Sequence, residues 1–144
     1  MFETLVSSSE FLFAINLLLA LVFGYVIGAE RESRGKSAGI ATQCLVIAGS
    51  MTFAYLSVLM EPTAPTRIAS NVVTGIGFLG AGIIFHHAMQ KAKDKVVNLT
   101  TAATIWMAAA IGMALGFGTP LIALALTIFT IAVLRIPHVV PGQH

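Results

Sequence analysis

The residues of this chain that could do chemistry fall into three groups. Gly75, Gly77 and Gly80 have the G-x-G-x-x-G spacing of a phosphate-cradling turn. The run G-A-E-R-E-S-R-G-K-S-A-G at 28–39 mixes Glu30 and Glu32 with Arg31, Arg34 and Lys36. A third group is polar residues in otherwise apolar sequence: Asn71, Thr74, Thr100, Thr101 and Thr104, with Arg67 ahead of them and Trp106 behind. A dinucleotide turn needs a strand before its first glycine, a helix after its last and an acid about 20 positions on. Asp94 falls near that distance, but it sits between Lys93 and Lys95, and the glycines lie inside a long uncharged stretch. Phosphates would have to enter hydrocarbon, so the nucleotide reading is set aside.

The elements that position these residues follow from composition. Of the 144 residues, 57% are hydrophobic and 10% charged, where a soluble domain has about a quarter charged. The charges bound uncharged stretches at 11–29, 37–60 and 68–90, each near the roughly 20 residues that cross a bilayer as a helix. The stretch 96–134 is about twice as long and is broken by G-F-G-T-P at 116–120, where glycine and proline signal a turn. These boundaries predict an all-α membrane protein of one domain with five transmembrane helices, over about 11–29, 39–60, 68–87, 97–116 and 119–136. The first is read as a permanent anchor, because Glu3 and Glu10 replace the basic start of a signal peptide and the apolar part is long. Lys and Arg gather in the first and third loops and at the C-terminus, with only Arg67 opposite. The positive-inside rule then predicts an outer N-terminus and a cytoplasmic C-terminus. Cys44, the single cysteine, is expected to be a small packing residue.

Within the third span, Asn71, Gly75, Phe78 and Gly82 share one helical face, and Ser70, Thr74, Gly77 and Ala81 another. Small residues on two faces suit a helix sandwiched between neighbours, because close backbone approach and interhelical hydrogen bonds hold helices together in lipid. Gly75, Gly77, Gly80 and Gly82 are therefore expected to pack helices, and the third span to be central. The sharper alternative is that dense glycine interrupts the helix and exposes backbone to an ion or anion. In the fourth span Thr100, Thr104, Met107 and Ile111 share a side, so its threonines are expected to face Asn71 or Thr74.

The first loop reads either as a charge cluster fixing topology or as a docking surface for a cytoplasmic partner, a phosphate group or anionic lipid. K-A-K-D-K at 91–95 reads as topogenic or lipid-contacting, and His86 and His87 as interfacial side chains. Arg67 is expected to pair with Glu61 or to reach inward. No Asp or Glu lies within a span, which disfavours a conventional cation pump. No nucleophile and base stand at interpretable spacing, so no enzyme, no cofactor and no nucleic-acid partner are expected.

Four ordered blocks, G-A-E-R-E-x-x-R-G-K-x-A-G-I, P-T-R-I-A, V-V-T-G-I-G-F-L-G-A-G and L-T-T-A-A-T-I-W, together resemble the MgtC/SapB family of bacterial inner-membrane proteins. The resemblance implies a five-span domain associated with growth and survival at low Mg²⁺, with intracellular survival in pathogens, and with phosphate and cation balance. It also implies restraint of the membrane ATP synthase by some members. By position it singles out Glu30, Arg31, Glu32, Arg34, Gly39, Arg67, the third span's glycines, Thr100, Thr101, Thr104 and Trp106. The chain departs from that pattern at Ala41, where arginine is usual, at Ala64, near a usual acid, and at Asn98, where glycine is usual. Long members add a soluble cytoplasmic domain after the fifth span.

The resulting expectation is a regulatory inner-membrane protein acting through helix contacts with a membrane partner such as ATP synthase, or with a second copy, a dimer being favoured. The alternative is a small oligomeric transporter or channel for Mg²⁺ or phosphate. There Asn71, Thr74, Thr100 and Thr104 line a path, and Arg67 or Arg31 selects an anion.

Overall fold

The computed structural model describes the backbone over residues 2–90 and 98–136 and the side chains over 9–85 and 98–136. Five helices follow in order: α1 (Phe2–Ser33), α2 (Ile40–Met60), α3 (Thr66–Gln90), α4 (Leu99–Gly116) and α5 (Pro120–Arg135). Four are long and apolar enough to cross a membrane, over Ser9–Ser33, Ile40–Met60, Thr66–Phe85 and Leu99–Gly116. The fifth, a shorter apolar helix, has 16 residues, about 24 Å at 1.5 Å per residue, against a hydrocarbon core about 30 Å thick.

The helix ends are written in local chemistry. α1 stops at Gly35, which takes φ 61°. The Lys36 N–H donates to the Arg31 carbonyl at 2.9 Å and the Gly35 N–H to the Glu32 carbonyl at 2.9 Å, the Schellman pattern. α4 ends the same way: Gly118 at φ 75°, with the Thr119 N–H donating to the Ala114 carbonyl at 2.8 Å and the Gly118 N–H to Leu115 at 3.0 Å. Pro120 then opens α5, where its missing N–H costs nothing. The G-F-G-T-P break is thus the bend that its composition predicts.

Packing corrects the expectation about which helix is central. α2 holds that place, and the glycines that admit its neighbours lie on α1 and α4. A β-carbon on Gly24 would stand 2.6 Å from the Cys44 Cα, and one on Gly28 would meet the backbone of Ile40. On α4, a β-carbon on Gly112 would stand 2.9 Å from the Ser50 Cβ and would meet the Ile47 carbonyl. One on Gly116 would stand 2.6 Å from the Ala54 Cβ. Both pairs are spaced i, i+4, so each puts two gaps on one face, one turn apart. Cys44 is the packing residue expected of it, set against Gly24. Around this clasp Phe23, Ile27, Ile47, Met51, Ile111 and Leu115 form the buried core. The Asn16 amide adds a bond from α1 to the Leu115 carbonyl of α4 at 3.1 Å.

α3 lies against α4 and α2 through a different stripe. Ala69 and Ile76 are buried, with Val72 and Ile83 partly so. Gly80 is the one glycine of this helix near a neighbour, 3.6 Å from the Ala102 Cβ; Gly75, Gly77 and Gly82 have nothing within 4 Å of where a side chain would begin. Phe78, on the Gly75 and Gly82 face, is 80% exposed. Within one copy, then, the small-residue faces do not sandwich α3. They are left outside because an apolar stripe at 69, 72, 76 and 83 meets α2 and α4 instead.

The clasp predicts opposite outcomes for one added methyl group. Gly112→Ala and Gly116→Ala are expected to lower stability by about 3 kcal/mol, since backbone atoms must move. Gly77→Ala and Gly82→Ala are expected to stay within about 0.5 kcal/mol of the parent, measured by denaturant unfolding in micelles.

Candidate functional site

Two sites merit description. One lies where the ends of α1, α4 and α5 meet; the other is a groove between α2 and α3.

At the first, the Schellman turn fixes Arg31 one turn before the end of α1, and the clasp brings α4's first turn beside it. Arg31 is buried, 3% exposed, and its Nη2 donates to the Thr101 Oγ1 at 2.9 Å across 70 residues of sequence. Arg31 Nε is buried with no acceptor among the described residues. A donor left that way costs about 1–3 kcal/mol, more when charged. Glu30 lies beside Arg34, with Nε 2.6 Å from Oε1, in an i, i+4 ion pair, though neither carboxylate oxygen has a well-directed hydrogen bond. Glu32 turns to α2: its Oε1 accepts the Ile40 N–H at 2.8 Å. Gly39, the residue before α2, has no side chain with which to cap, and a β-carbon there would collide with the Glu32 carboxylate. Glu32 is therefore a helix cap supplied from the preceding helix, its charge at the positive pole of α2.

Asn98 precedes α4 in the left-handed region, φ 69° and ψ 16°. This explains why glycine suits the position and why asparagine replaces it with little strain. Its amide Nδ2 is buried without an acceptor among the described residues. Arg31, Arg34, Lys36, Asn98, Thr100 and Thr101 form the polar wall of a cavity of about 420 Å³, and Val133, Leu134 and Ile136 its apolar wall. Sequence reasoning missed Gln43, wholly buried, whose Nε2 donates to the Ala38 carbonyl at 3.2 Å. It also missed Asn98, which it treated only as a departure from pattern. A polar residue inside an uncharged stretch was the available signal for Gln43, as for Asn16.

The second site is a groove of about 610 Å³ between α2 and α3, lined by Gly49 and Gly75 together with Leu45, Phe53, Asn71 and Leu79. Neither glycine has an atom within 4 Å of where a side chain would start.

The remaining residues are placed apart. Arg67 pairs with Glu61 at 3.3 Å and is exposed, so it does not reach inward. The Asn71 amide donates to the Arg67 carbonyl at 3.3 Å, the Thr74 hydroxyl to the Ser70 carbonyl at 3.4 Å and the Thr104 hydroxyl to the Thr101 carbonyl at 2.7 Å. Asn71, Thr74 and Thr104 thus give their donors to their own helices instead of to one another, and the Thr101 hydroxyl meets Arg31 of α1. Trp106 is half exposed on the outer side of α4. Among the described residues no three His, Cys, Asp or Glu side chains gather as metal ligands. The side chains of His86 and His87 and the 91–95 run lie outside the described residues.

Four substitutions at three positions test these roles by unfolding. Glu32→Ala is expected to cost about 1 kcal/mol, the worth of a cap. Asn98→Gly is expected to be neutral and Asn98→Val to cost about 1–2 kcal/mol through left-handed strain. Thr101→Val, by removing the acceptor of a buried guanidinium, is expected to cost about 2–3 kcal/mol.

Comparison with known proteins agrees with the sequence blocks. The family described as the MgtC family matches residues 17–141. Protein MgtC of Salmonella typhimurium (strain LT2) is 45% identical over 118 residues, 82% of this chain and 49% of that protein. Protein MgtC of Brucella abortus (strain 2308) is 44% identical over 115 residues, 79% of this chain and 46% of that protein. The chain spans about half the length of the curated relatives it matches. No solved structure matches it. With four apolar helices of membrane-crossing length and a family match running from α1 past α5, the chain belongs to the MgtC family of membrane proteins.

Proposed function

We propose that this protein regulates a membrane partner by helix contact, the partner's helix seating in the groove between α2 and α3. The observation that supports the reading is the groove itself, with Gly49 and Gly75 in its lining and open space where their side chains would begin. Where lipid tails are as apolar as side chains, association needs close backbone approach, and uncovered small residues supply it. Asn71 also lines the groove, its amide bonded at 3.3 Å to the Arg67 carbonyl of its own helix. We place all five helices in the bacterial inner membrane with the N-terminus outside and the C-terminus in the cytoplasm, as the distribution of Lys and Arg favours. The family resemblance supplies the context: Mg²⁺ limitation, phosphate balance and the membrane ATP synthase as the partner to test first.

The transporter reading needs polar side chains facing one another. Thr74, Thr104 and Asn71 instead give their donors to their own helices, so a conducting path would have to be built between copies. Liposomes containing the full chain are expected to show no Mg²⁺ or phosphate flux above empty vesicles. Flux would move the function to an oligomeric channel.

Gly49→Leu with Gly75→Leu fills the groove without touching the clasp. This variant is expected to unfold like the parent while losing complementation of growth at low Mg²⁺ and any effect on ATP hydrolysis by inverted membrane vesicles. Full complementation by a folded double variant would refute groove docking.

A further inference from the structure

We propose that the cavity where the ends of α1, α4 and α5 meet binds a phosphate group. Its polar wall is made of donors. Arg31 and Asn98 each carry a buried donor, Nε and Nδ2, that has no acceptor among the described residues, and both residues line the cavity. Two unsatisfied donors on one wall call for an acceptor from outside. A water would satisfy hydrogen bonding, and the only carboxylate acting on Arg31 among the described residues, Glu30, is shared with Arg34. Arg31 forms no ion pair among the described residues, its interhelical partner being the neutral Thr101 hydroxyl. Lys36 adds a second cation, and Arg34, partly neutralised by Glu30, a third.

The backbone points the same way. The first N–H groups of α4 have no carbonyl within the helix to bond, and Thr100 and Thr101 bring that positive pole to the cavity. Guanidinium, amide, hydroxyl and helix N-terminus together offer more donors than the two oxygens of a carboxylate use. They suit a tetrahedral oxyanion with several acceptor oxygens. Glu30 and the unpaired Oε1 of Gln43 are acceptors nearby, but neither lines the cavity. The apolar wall of Val133, Leu134 and Ile136 leaves room for an organic substituent beside the phosphate. The chemistry is shared by free phosphate and by an anionic lipid headgroup. This site is separate from the α2–α3 groove, so either proposal can fail alone.

The test titrates the full chain in maltoside micelles with inorganic phosphate in one arm and phosphatidic acid in the other. Chloride at matched ionic strength is the reference, and the thermal unfolding midpoint is followed. Lys36→Gln and Asn98→Gly are the variants: Lys36 is exposed, and Asn98→Gly keeps the left-handed backbone while deleting the donor. The midpoint is expected to rise beyond the chloride reference in one arm, identifying the source as soluble phosphate or lipid. Apparent affinity is expected to fall at least tenfold in both variants, each folded without ligand. Equal response to chloride in both arms, or unchanged affinity in both variants, would overturn the proposal.

Discussion

A helix can touch two neighbours at backbone distance only where they offer no side chain, and that constraint organises this protein. α2 is gripped on one side by Gly24 and Gly28 of α1 and on the other by Gly112 and Gly116 of α4. Lipid gives no hydrophobic drive for helices to associate, so dense van der Waals contact along these faces has to supply much of the attraction. Asn16, bonded to the Leu115 carbonyl, joins α1 to α4 directly. The three helices form a unit to which α5 and α3 are added, each by its own narrower face.

Functional geometry follows from that unit. With α1 and α4 fixed against α2, the last turn of α1 meets the first turn of α4, and Arg31 finds Thr101. The run of alternating charge after Ala29 then divides by role. Glu32 caps α2, Glu30 accompanies Arg34, and Arg31 is turned inward with a donor unspent. A buried guanidinium is costly unless its donors are met. Keeping one unmet while the surrounding turn is built with regular capping is the kind of local departure that marks a site and not a flaw in folding. α3 is gripped by neither glycine pair, and its Gly75, Gly77 and Gly82 have no neighbour within 4 Å of where a side chain would begin.

Much of this was legible in the sequence. Charges at the span ends and G-F-G-T-P gave the helices and the final bend, and Arg67 with Glu61 was an expected pair. The correction concerns which helix is central and which glycines pack within one copy, where Gly80 alone of the four expected on α3 meets a neighbour. Gly75, Gly77 and Gly80 draw attention by density, but density does not define a face. Gly24 with Gly28 and Gly112 with Gly116, two glycines each at i, i+4, do define one. In an apolar span hydrophobicity cannot separate the side facing protein from the side facing lipid, so Ala69, Val72 and Ile76 were indistinguishable from lipid-facing residues. The role of Glu32 was hidden for another reason. A cap supplied by the preceding helix depends on the path of the intervening turn, set by Gly35 and by Ala38 at φ 61°. The convergence of Asn98 and Arg31 is likewise tertiary: no local pattern links residues so far apart.

The most direct measurement of whether α3 leaves its glycine face free is disulfide formation from paired cysteines in native membranes, in a Cys44→Ser background. Gly80→Cys with Ala102→Cys would place β-carbons 3.6 Å apart, within the about 3.5–4.5 Å that a disulfide spans. Gly82→Cys lies on the far side of the same helix. An intramolecular disulfide at 80 and 102, with none at 82 and 102, is the predicted result. Efficient intramolecular bonding at 82 and 102, without it at 80 and 102, would mean that α3 is turned with its glycines inward and that no open face remains to receive a partner.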